Sequence, residues 1–202
     1  MSSRRLQQII PTVSANGDKT SRVSAVYDAA PRKSFIAALK DVPEVWELSY
    51  DPAAEPVADG LVHDFQYKEG DFKSAMFNPR RTLLTDFLDD FFFTQSYAEI
   101  LGASRSASKG QVVLLDGRKK IADLDLPGMP HLGSGITWKW RDPAGKMRTV
   151  MASPNLNEGL ITVIDLGTYE TVAQIKTLGP GFFLRSHEKS RYAFTDSMMS
   201  KE

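Results

Sequence analysis

Hydrophobic and polar positions alternate along most of this chain in short runs, and the runs are closed by Gly, Pro, Asn or Asp. That period of two predicts β-strands. Ser34–Lys40 and Glu44–Tyr50 form two, joined by a turn at Asp41-Val-Pro43 and ended by Asp51-Pro52. Gly60–Tyr67 is a third. The rhythm fails over residues 68–90, where Asn78-Pro79-Arg80-Arg81 and Asp86-Phe-Leu-Asp-Asp90 read as a loop or insertion. It resumes at Ala98–Ser104, Gly110–Asp116 and Lys120–Leu126. A complete set of four predicted strands follows at 135–140, 148–153, 159–165 and 171–178. A partial set, Gly181–Arg185 and Arg191–Thr195, comes last.

One segment repeats. Gly110-Gln-Val-Val-Leu-Leu-Asp116 returns 49 residues later as Gly159-Leu-Ile-Thr-Val-Ile-Asp165. Each copy is followed by a turn and a second apolar run, Lys120–Leu126 and Thr171–Leu178. A repeat of this length with several strands per unit predicts an all-β fold, a partial β-propeller of about three and a half four-stranded blades. Residues 1–20 are expected to be irregular, and 21–202 to form the propeller, interrupted by the insertion or long loop around 68–90. Propellers close with roughly four to eight blades, so the count predicts a fragment, a truncated product or a piece completed by a partner. A small open sandwich of two antiparallel sheets fits the pattern too.

Composition narrows the chemistry. Of 202 residues, 25 are basic and 25 acidic, so formal net charge is zero and nucleic acid or an anionic membrane is not expected as partner. No apolar run approaches the roughly 20 residues of a spanning helix, and the start, Met1–Pro11, is too weakly apolar for a signal peptide. Cysteine is absent, which excludes disulfides, thiolate metal sites and a c-type haem attached to this chain. Any metal or cofactor must be held by other groups, and the histidines are His63, His131 and His187.

Two Gly/Pro-rich connections between predicted blades lead to histidines: Leu126–Gly135 contains His131, and Leu178–His187 ends on His187. Corresponding propeller loops share a face, so both imidazoles are placed near one pocket, where imidazole can ligate a metal or exchange protons. Arg185 lies two residues before His187 and suits a carboxylate. The alternatives are surface or structural histidines and a surface ion pair for Arg185. Asn155 lies between two strands and reads as a turn residue. His63 reads as structural. Trp138 and Trp140 point to one face and read as inter-blade core. Asp89-Asp90 before Phe91-Phe-Phe93 could form an acid–base pair or a solvated loop end. No phosphate loop, dinucleotide fingerprint or nucleophile elbow is present.

Longer strings carry a resemblance. Leu126–Trp138, Leu178–Glu188, Leu88–Phe93 and Lys40–Asp51 are similar to the haem d1 domain family, and the similarity extends from about Ser21 onward. That family holds the d1 domain of cytochrome cd1 nitrite reductase and its haem d1 biosynthesis paralogues, such as dihydro-haem d1 dehydrogenase and a d1-precursor-binding protein. The resemblance implies an eight-bladed propeller around a non-covalent d1-type tetrapyrrole, with this chain supplying middle blades and the proximal iron ligand lying in an earlier blade. It also implies a periplasmic location, with the other propeller half, a c-type cytochrome or nitrite reductase as partners.

By the same resemblance, His187 matches the second of the reductase's two distal histidines, and Asn155 stands at the first. An amide cannot deliver a proton as an imidazolium does, so Asn155 favours a biosynthetic paralogue over nitrite reduction. The reaction implied is oxidation of a dihydro-haem d1 propionate to an acrylate. His187 would be distal iron ligand or proton acceptor, Arg185 would hold a macrocycle carboxylate, and His131 would shape the pocket. A non-enzymatic carrier of a d1 precursor, nitrite reductase itself, and an interaction module or inactive fragment are the other readings.

Overall fold

The structure is a computed structural model that describes residues 5–104 and 109–201. The basic start at Met1–Arg4 and the final Glu202 lie outside the described residues. The chain separates into two compact units, Met1–Phe87 and Leu88–Glu202.

In the first unit, β1 (Val23–Ala29), β2 (Ser34–Leu39) and β3 (Glu44–Ser49) run antiparallel. The chain then leaves as a separate hairpin, β4 (Val57–Asp64) and β5 (Glu69–Lys73), and returns as β6 (Arg80–Leu83) beside β3. The stretch over 68–90 is therefore not strand-free. β6 escapes a hydrophobicity reading because it opens with two arginines. They are tolerated there because β3 offers two glutamates. Arg80 pairs with Glu47, and Arg81 donates to Glu44 at 2.8 Å while stacking 4.4 Å above the Trp46 ring. Glu44 also accepts the Trp46 indole N–H at 2.9 Å and the Ala15 N–H at 2.7 Å. Residues 5–20 are largely irregular, with one bridge between Val13 and Thr20, and this glutamate ties them to the sheet. Ala37, Leu39, Val42 and Trp46 form the core, with Ile10 packed against them.

The second unit holds two complete four-stranded meanders. One is β7 (Asp90–Phe93), β8 (Glu99–Ala103), β9 (Lys109–Leu114) and β10 (Lys119–Asp125). The other is β11 (Ile136–Arg141), β12 (Met147–Pro154), β13 (Leu160–Asp165) and β14 (Thr171–Lys176). The repeated segments lie on β9 and β13, the third strand of each sheet. A short pair, β15 (Leu184–Arg185) and β16 (Phe194–Thr195), follows. The cores lie between successive sheets: Leu101, Val112 and Leu124 meet Leu132, Met151 and Ile164, and the far side of the second meander packs on Leu184. Serial four-stranded meanders with inter-sheet cores are propeller blades, so the fold is a partial β-propeller. Trp138 and Trp140 pack into the second of these cores, as the alternation predicts.

Asp165, 5% exposed, ends the second copy of the repeat. It accepts the Gly167 N–H at 2.7 Å to close the turn and pairs with Arg148. Burial pushes its carboxyl up, but the Arg148 and backbone donors outweigh that and hold it below the ordinary carboxylate range.

Candidate functional site

Within the second unit, the loops before β11 and around β15 enclose a groove of about 580 Å³. Phe92, Gly133, Trp138, Arg185 and His187 line it. The groove thus combines an aromatic wall, a cation and an imidazole on two Gly/Pro-rich connections.

His187 is exposed, and its Nδ1 accepts the Lys189 N–H at 3.1 Å. The neutral ring held that way carries its proton on Nε2 and presents a donor. Serving as iron ligand through Nε2 requires the Lys189 contact to open and the proton to move. Arg185 donates to its own Leu184 carbonyl at 2.9 Å and lies 5.5 Å from the Phe183 ring. Among the described residues it makes no ion pair, so its charge is available to an anion in the groove. The connection is stiffened by Asp196, which accepts the N–H groups of Phe182 and Phe183 at 3.0 and 2.6 Å. Burial pushes the Asp196 carboxyl up, and these backbone donors bring it below its ordinary value.

His131 does not stand in the groove beside His187. Alignment on the buried leucines Leu132 and Leu184 puts His131 level with Phe183 and His187 level with Gly135. The two histidines are therefore not equivalent repeat positions. The His131 ring is 13% exposed, with Nδ1 2.7 Å from the Phe182 carbonyl and Nε2 3.2 Å from Asp90 Oδ2. Asp90 opens β7 and is 7% exposed, not a solvated loop end. The pattern hid it because Phe91, Phe92 and Phe93 follow without alternation. The signal that could have found it is an acid beside a continuous apolar run, which is how a fully buried strand reads.

Asn155 is also away from the groove wall, 3% exposed. Its Oδ1 accepts the N–H groups of Asn157, Glu158 and Met129 at 2.9, 3.0 and 3.3 Å, and its Nδ2 donates to the Pro127 carbonyl at 2.6 Å. Gly128, at φ +61°, passes so close that a Cβ there would sit 2.9 Å from both amide atoms. The Asn155 carbonyl accepts the Gly181 N–H at 3.1 Å, so one residue binds both connections that form the groove. His63 lies exposed on β4, in the other unit.

The whole chain, residues 1–202, matches the family described as Cytochrome D1 heme domain. The chain belongs to the cytochrome D1 heme domain family. It is 46% identical over 197 residues to the dihydro-heme d1 dehydrogenase of Pseudomonas aeruginosa, covering 98% of this chain and 34% of that protein. It thus spans about a third of that relative. A solved structure of dihydro-heme d1 dehydrogenase NirN in complex with DHE superposes with a TM-score of 0.79 at 46% identity, covering 98% of this chain and 36% of that one. Hydrazine synthase of Kuenenia stuttgartiensis superposes with a TM-score of 0.50 at 12% identity, over 91% of this chain and 41% of that one, a likeness of fold alone. Among the described residues no helix is long and apolar enough to cross a membrane.

Proposed function

We propose that this chain walls part of a d1-type tetrapyrrole site, in a periplasmic protein that oxidises a propionate side chain of dihydro-haem d1 to an acrylate. The observation that carries this reading is the groove itself. Trp138 and Phe92 offer flat apolar contact to a macrocycle face, and Arg185 offers a guanidinium to a carboxylate at its edge. A groove of about 580 Å³ suits one edge of such a ligand.

The reaction turns a CH₂–CH₂ bond into CH=CH and releases two protons and two electrons. The electrons need an acceptor outside this chain, a c-type haem or c-type cytochrome. His187 is proposed as the proton acceptor or distal iron ligand, in the ring state that follows release of Lys189. In the ring state described above it donates from Nε2 to a carboxylate beside Arg185. His131 and Asn155 are assigned to the pocket's shape, because their polar atoms are committed to protein partners. Asn155 also supports the biosynthetic reading over nitrite reduction: an amide engaged on four sides has no proton to deliver to a departing oxygen.

The test is turnover. Dihydro-haem d1 incubated with the protein and an oxidised c-type cytochrome should yield a product two hydrogens lighter, with reduced cytochrome appearing in proportion. Unchanged pigment under these conditions counts against the dehydrogenase reading and leaves a carrier.

A further inference from the structure

The Asp90 carboxylate lies behind the groove. One of its oxygens, Oδ2, meets two parts of the connecting loop: it accepts the Gly133 N–H at 3.0 Å and faces His131 Nε2 at 3.2 Å. Gly133 lines the groove and so does Phe92, two residues along β7 on the same side of the strand as Asp90. A Cβ at Gly133 would collide with this carboxylate, so the close approach needs glycine. On its other side the His131 ring meets the Phe182 carbonyl at 2.7 Å and the Phe182 ring edge-on, with centroids 5.3 Å apart. The ring therefore has an oxygen acceptor facing each nitrogen. Through it, Asp90 reaches from the first strand of one blade to the backbone of the connection that carries Arg185 and His187.

We infer that Asp90 is a positioning residue for the candidate tetrapyrrole site: it fixes the His131 ring and the Gly133 backbone, and thereby sets the spacing between the two loops that hold the ligand. The inference rests on the tetrapyrrole reading for its functional consequence, but not for its structural one. Asp90 does not touch the ligand. Its removal acts through His131, as loss of an outer partner of a functional histidine does.

Long-range ¹H–¹⁵N spectra of the ligand-free protein test the structural half. His131 Nδ1 should carry the proton held by the Phe182 carbonyl, and Asp90→Ala, which takes away the oxygen shared by His131 Nε2 and the Gly133 N–H, should move the His131 ring and Gly133 amide signals. Unmoved His131 and Gly133 signals in Asp90→Ala overturn the inference whatever the variant's stability. Binding of dihydro-haem d1, followed by visible absorbance, tests the other half. Asp90→Ala should weaken it on the order of tenfold, and Asp90→Glu should recover part of the loss. Wild-type affinity in Asp90→Ala overturns the positioning role. If the wild type itself binds no pigment while the His131 signature behaves as described, the tetrapyrrole reading fails and the Asp90–His131 arrangement stands.

Discussion

Asn155 Nδ2 donates to the Pro127 carbonyl across 2.6 Å, and the same side chain's oxygen gathers three backbone N–H groups. This buried amide turns the Gly/Pro-rich connection at 127–131 back onto the β12 end. Asn155→Ala leaves several buried donors and one acceptor without partners and should cost about 2 kcal/mol or more, a fall of roughly 4–8 °C in melting temperature. Asn155→His should not rescue it, because a neutral imidazole has one acceptor where three N–H groups converge. Asn155→Asp, which keeps the acceptor, should melt above both. Thermal denaturation by circular dichroism ranks the three, and a histidine variant as stable as the wild type would contradict this role.

Glu47 gives a pH-dependent prediction in the first unit. Burial pushes its carboxyl up, yet the donors of Arg32, at 2.9 and 3.2 Å, and those of Arg80 bring it below the ordinary glutamate value. A depressed folded-state value means the stabilisation is present above the unfolded value of about 4.3 and is lost as pH falls below it. Glu47→Gln should cost roughly 3 kcal/mol at neutral pH, since it leaves two arginines facing an uncharged group. Its stability should then change less than the wild type's between pH 7 and pH 3. Urea unfolding at both pH values checks the difference of slopes.

Tyr169 gives the alkaline counterpart. Burial first, and then its hydrogen bond to Glu99, push the phenol up to about 12. A tyrosine in the unfolded chain ionises near 10, so the raised value stabilises the fold below pH ~10 and that contribution is lost as pH rises towards about 12. Absorbance at the tyrosinate band should show one slow-rising component in the wild type that is missing from Tyr169→Phe. A phenol that titrates with the exposed tyrosines would refute it.

Much of the fold was legible because the blades of the second unit alternate cleanly. β9 and β13 show themselves as a Gly-led repeat, and Trp138 and Trp140 fall on the face their spacing predicts. Two of the strands that escaped notice, β6 and β7, break the alternation for physical reasons. β6 carries arginines that only the glutamates of β3 make acceptable, and β7 is a run of three phenylalanines behind a buried acid. The candidate site was legible as two loops and their residues, not as geometry. Nothing in the spacing distinguishes His187, on the groove, from His131, held behind it by Asp90, because the partners that decide this come from β7 and from Phe182, 41 and 51 residues away.

The central claim is that the groove lined by Trp138, Arg185 and His187 binds a d1-type tetrapyrrole, and titration of dihydro-haem d1 with visible absorbance tests it most directly. The wild type should give a saturable shift of the Soret band. Arg185→Ala should weaken binding about tenfold, as expected for one charge-assisted hydrogen bond, and His187→Ala should change the spectrum of the bound pigment. No shift with the wild type, or an identical shift and affinity in both variants, would contradict the account.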